Sequence, residues 1–145
     1  MAATAVISAP LVYASSQASN GSVSASRHVV LGNKRFAPRG AGFGKARPKR
    51  IYNGGVPSGE VRHIHWKSWA GRSARGRGLT WIYKPNGGYY SKPGRIKLHA
   101  FGVGRCTKHG PLAYRHLRVR VVKRPGGHYG RWLNWSGTRN ICTYP

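Results

Sequence analysis

The sequence predicts an all-β fold: a small antiparallel β-sandwich or barrel with one disulfide, preceded by a disordered N-terminal region. Three observations carry this expectation. From Val61 onward, apolar and polar residues alternate with period two, the pattern of half-buried strands. Gly/Pro clusters interrupt those runs at short intervals, as hairpin turns do. All five Trp lie between Trp66 and Trp135, so the aromatic material for a core is confined to the C-terminal part.

The chain opens with a short apolar run, residues 2–13 (AATAVISAPLVY), followed by Ser16-Gln17-Ala18. Small residues at −3 and −1 of a cut after Ala18 give residues 1–18 the form of a secretory signal peptide. The run is too short to span a bilayer. No Lys or Arg precedes it, so the basic n-region is missing. An organellar transit peptide is the alternative, because residues 1–50 are Ser-rich, Arg-containing and acid-poor. A tail with no address is the third reading. Residues 19–60 read as a disordered, basic Gly/Ser/Arg-rich linker. They include the breakers Gly40-Ala41-Gly42-Phe43-Gly44 and Asn53-Gly54-Gly55 and the cluster Lys45-Ala46-Arg47-Pro48-Lys49-Arg50.

Residues 61–145 form the expected β domain. The clearest strands are 95–101, where apolar and basic residues alternate, and 114–122, where Leu117, Val119 and Val121 take one face. Residues 79–83 (LTWIY) are β-rich in composition, and 61–69 and 131–142 are further candidates. The expected turns are Pro85-Asn86-Gly87-Gly88, Pro93-Gly94, Gly102 to Gly104 and Pro125-Gly126-Gly127. Ile64, Ile82, Ile96, Leu98, Leu117, Val119 and Val121 supply the core. Cys106 and Cys142 are the only thiols, and in an exported chain an even count reads as a disulfide. Closing a loop of that length contributes about 3–4 kcal/mol in the chain-entropy model.

Charge bounds the function. Lys and Arg number 26 against one acid, Glu60, for a formal charge of +25 and a pI near 11.7. One carboxylate excludes paired-carboxylate hydrolysis, a Ser-His-Asp triad and oxygen-rich Ca²⁺ or Mg²⁺ sites. An enzyme is therefore not expected, and neither is a cofactor. His63 and His65 are two apart, so on a regular strand they would share a face, but no spacing matches a zinc signature and no metal is expected. What remains is attraction to something negative. The candidate polyanion-binding residues are Arg95, Lys97, Arg118 and Arg120 on the solvent faces of two strands. To these are added Arg72, Arg75 and Arg77 in the Gly-rich stretch AGRSARGRG, flanked by Trp66, Trp69 and Trp81. The bland readings are a solvated face made basic by overall bias, and a mobile turn among core Trp residues.

The stretch from Ile64 to Gly78 (IHWKSWAGRSARGRG) resembles the opening of a group of small secreted actinobacterial proteins, roughly I-x-W-x-x-W-G-G-x-x-A-x-G-x-G. Trp66, Trp69, Gly71, Ala74, Gly76 and Gly78 match, Ala70 stands in place of a Gly, and the closing Ile141-Cys142 fits. The resemblance implies export and a disulfide and supplies no activity. The extreme basicity is a departure from that group. A plastid ribosomal protein would explain the charge and the N-terminus together, but not the five Trp.

The functional expectation is a secreted, non-enzymatic cationic domain. It binds anionic polymers or surfaces, such as cell-wall polymer, anionic lipid or extracellular nucleic acid, by charge neutralisation. An organellar or intracellular nucleic-acid-binding, ribosome-associated protein is the alternative. No small-molecule substrate is evident.

Overall fold

Alternating residues bury one face of a sheet against a second layer or by curling the sheet on itself, and this chain curls. The computed structural model describes residues 9–11, 27–124 and 130–144. The expected signal sequence and its cut after Ala18 fall outside the described residues apart from 9–11, and so does the Pro125-Gly126-Gly127 turn. Among the described residues the fold is all-β, a sheet bent into a half-barrel. Its strands are β1 (Val29–Leu31), β2 (Ile51–Tyr52), β3 (Glu60–Trp66), β4 (Ser73–Thr80), β5 (Gly94–Arg105), β6 (Leu112–Val121) and β7 (Leu133–Asn134). The order is β1-β6-β5-β4-β3-β2, with β7 also on β6. Pairing is antiparallel except for β1, which runs parallel to β6.

The expected linker over 19–60 is corrected from residue 27 onward. β1 and β2 are consecutive in sequence yet occupy the two ends of the sheet order, so the segment between them joins both edges. It bonds to each. Leu31 N–H donates to Lys45 O and Gly44 N–H to Leu31 O near β1, and Ile64 N–H of β3 donates to Lys49 O. Val29, Leu31, Phe36, Phe43 and Ile51 from this segment belong to the same core cluster as Ile64, Ile96, Leu98 and Leu117. The Gly/Arg composition hid this because the apolar residues are single and widely spaced. The glycines serve close approach instead: a Cβ on Gly40 would fall 1.8 Å from Tyr52 O.

Several expected elements shift. Residues 70–78, which read as a mobile turn, largely form β4. Its inner face is Ala74, Gly76 and Gly78, paired with Ala100, Leu98 and Ile96, while Arg75 and Arg77 point out. The glycines leave room for β3 side chains to lean across: a Cβ at Gly76 would meet the Trp66 ring at 2.8 Å, and one at Gly78 would meet Val61 Cγ1 at 2.5 Å. The expected strand at 79–83 stops at Thr80, and Tyr83 instead bridges Tyr89. The expected turn at Gly102 to Gly104 lies inside β5, where Gly102 adopts a φ of +71°. Past this point the residue of β5 packed on the core changes from even (Leu98, Ala100) to odd (Val103). The 131–142 candidate keeps only the two-residue β7 as strand.

Ile64, Ile82, Ile96, Leu98 and Leu117 are buried as expected, whereas Val119 and Val121 are half-buried. Cys106 and Cys142 form the disulfide, with Cα atoms 5.1 Å apart, and tie the segment after β5 to the C-terminal segment. No helix among the described residues is long and apolar enough to cross a membrane.

Candidate anion-binding face

The outer face of the sheet is assembled by strand register. Antiparallel pairing puts Arg77 opposite Lys97, and Lys97 opposite Arg120. On β3, His65 extends this row. The next row runs Arg75, His99, Arg118 and Asn134, and Arg95 lies beside Leu79 at the edge of the face. Adjacent strands sit about 4.8 Å apart and like-facing residues on one strand about 6.8 Å apart. Six cations (Arg75, Arg77, Arg95, Lys97, Arg118 and Arg120) thus share one surface across three neighbouring strands. Arg72 does not join them: it is exposed in the connection before β4.

Arg62 of β3 continues the Arg95–Leu79 row, so Glu60 lies on this face at its β3 edge, but among the described residues no acid stands in the Arg77–Lys97–Arg120 or Arg75–His99–Arg118 rows. Among the described residues the ion pairs are those of Glu60 with Arg50 and Arg62, at 2.5 and 2.6 Å. The Arg62 hydrogen bond, aided by Arg50, holds the Glu60 carboxyl below its ordinary value against the opposing effect of burial. The one acid is therefore spent on fastening the stretch before β2 to β3. Cations directly opposite one another repel. Arg118 Nε donates to Asn134 Oδ1 at 3.4 Å. Arg120 Nε is buried and lacks a hydrogen-bond partner, a costly condition.

The sequence reading missed the aromatic part of the face. His99 stacks on Phe101 with centroids 5.1 Å apart, and Phe101 lies 5.1 Å from His116. Trp132 meets His99 edge-on at 6.0 Å, and the Arg118 guanidinium lies 5.3 Å over the Phe101 ring. All four rings are half-buried. Burial first, and then Arg75 and Arg118, lower the His99 pKa and so favour its uncharged ring. The signal was present in the alternation itself, since residues 97, 99 and 101 share parity, but Trp132 reaches the cluster only through the β6–β7 pairing.

Other expected groupings dissolve. Trp66 and Trp69 pack on the core and each other at 4.7 Å, and donate to Pro48 O and Val29 O. They are not beside the outer arginines. A register shift between Arg62 and His65, with His63 at φ +51°, breaks the two-residue alternation that would have put His63 and His65 on one face. No group of three His, Cys, Asp or Glu side chains gathers among the described residues. On the concave side a cleft of about 670 Å³ is bounded by Trp81, Tyr83, Val119, Val121 and Trp135, with Arg124 its one charged lining residue. Compared with known proteins, the chain matches no family model, no curated protein and no solved structure.

Proposed function

We propose that this protein is a secreted, non-enzymatic module that binds anionic polymers through the outer face of β4, β5 and β6. The observation that carries the reading is the alignment of Arg77, Lys97 and Arg120 in one ladder row that holds no acid, the one side-chain carboxylate being tied to Arg50 and Arg62 at the β3 edge. A bound polyanion replaces the missing counter-charge and releases condensed ions, so affinity comes mainly from charge neutralisation. The disulfide supports an oxidising destination outside the cell and weighs against the ribosome-associated alternative.

A salt series on immobilised DNA, teichoic acid and heparin tests the reading. Six contacts lie at the low end of the range for which affinity falls roughly 10³–10⁵-fold between 50 and 200 mM salt. Lys97→Gln and Arg77→Gln should each weaken binding to all three polymers and reduce the magnitude of the salt slope by about one. A slope near zero, or one that these substitutions leave unchanged, defeats the proposal.

A further inference from the structure

A surface built only to attract phosphate or sulfate has no use for uncharged rings among its cations. Here Phe101 and Trp132 lie on the basic face, on the side of the sheet away from the core, and neither they nor His99 and His116 belong to the core cluster. The rings form a continuous path, His116–Phe101–His99–Trp132, with steps of 5.1, 5.1 and 6.0 Å. Arg75 and Arg118 occupy the His99 row, and Lys97 and Arg120 the row beside it. Phe and Trp left half-exposed on a sheet face forgo the burial that would stabilise them in a core. Planar rings and a planar guanidinium offer π-faces to planar partners.

We propose that the polymer bound at this face is a single-stranded nucleic acid, its phosphates on the arginine rows and its bases on the Phe101–His99–Trp132 path. The inference rests on the polyanion reading above and names its substrate class. A single strand fits because its bases can splay away from the backbone, and a sheet face carrying aromatic rings holds two or three of them. A duplex presents its bases stacked inside, out of reach of rings on a gently curved sheet. Polyphosphate and teichoic acid carry the charge but have nothing to stack. Base identity is weakly read, because every base has a π-face.

The test compares four probes on the full chain at one ionic strength: a mixed-sequence 20-nucleotide single strand, an abasic strand of the same length, the 20-base-pair duplex, and polyphosphate of matched charge. The expected result is that the base-bearing strand binds at least about 10-fold more tightly than the abasic strand, since each stacked base is worth roughly 5- to 150-fold. Phe101→Leu and Trp132→Leu should remove most of that margin and leave polyphosphate affinity within about twofold. The abasic comparison uses the unaltered protein, so it stands even if a variant fails to fold. Equal binding of base-bearing and abasic strands overturns base stacking and leaves the polyanion reading intact. Tighter binding of the duplex than of the single strand overturns the preference for single strands. If none of the four binds, the polyanion reading falls and this inference falls with it.

Discussion

Glu60 has an unusual position at the scale of single residues: it is the only side-chain carboxylate and it is committed to two guanidinium groups. Its folded pKa is depressed below the ordinary 4.5. A carboxyl with a depressed folded pKa contributes stability that is complete above its unfolded pKa and is lost as pH falls through the folded value. The Glu60 contribution should therefore be level above about pH 5 and decline below 4.5, while His99, whose folded pKa is lowered by burial, adds a separate loss of stability as pH falls below 6.5. Glu60→Gln should cost about 1 kcal/mol at pH 7, a modest figure because both guanidiniums are largely solvated. The same substitution should flatten the part of the decline below pH 4.5 and leave the His99 part unchanged. Denaturant midpoints from pH 3 to 7 check both points, and an unchanged acid limb in the variant would assign the decline elsewhere.

At the scale of elements, β4 shows how a basic Gly-rich motif becomes a strand. Arg75 and Arg77 face out, while Gly76 and Gly78 face in beneath Trp66 and Val61. Gly78→Ala should cost about 1–3 kcal/mol, because its Cβ would fall 2.5 Å from Val61 Cγ1 and 2.9 Å from Arg62 O. Arg77→Ala, one residue away in sequence but on the other face, should be neutral or slightly stabilising, since it removes a charge facing Lys97. Chemical denaturation distinguishes the two, and a harmless Gly78→Ala would show that β3 can retreat. The period of β5 and β6 was legible in sequence because Ile96, Leu98, Leu117 and Val119 mark one face by hydrophobicity. In β4 the inward residues are small rather than apolar, so the same period leaves no hydrophobic trace. The bulge at His63 and the pairing of Trp132's neighbours with β6 depend on tertiary register, which no local pattern encodes.

At the scale of the whole molecule, the domain does not begin at Val61. Val29, Leu31, Phe36, Phe43 and Ile51 are each at most 4% exposed. Burying five such side chains contributes roughly 8–15 kcal/mol, as much as the entire net stability of an ordinary domain. A chain starting at Val61 should fail to fold, whereas one starting at Arg27 should fold with native near-UV circular dichroism and dispersed amide resonances. A folded 61–145 fragment would show that the bridging segment is an accessory. The basic face itself was partly legible: the outward placement of Arg95, Lys97, Arg118 and Arg120 follows from alternation, but their joining with Arg75 and Arg77 required the β4–β5–β6 order.

The parallel pairing of β1 with β6 also sets an order of events. Val29, Val30 and Leu31 find their partners at Leu112, Ala113 and Tyr114, so the ribosome must add the whole intervening sheet before they can dock. At about 5–20 residues per second that delay is on the order of 4–17 s. The disulfide partner of Cys106 arrives later still, 36 residues after it. Until residues 112–114 have been made, the apolar triplet at 29–31 is therefore without its strand partner. Such a nascent chain can be threaded through a translocation channel without first having to be unfolded.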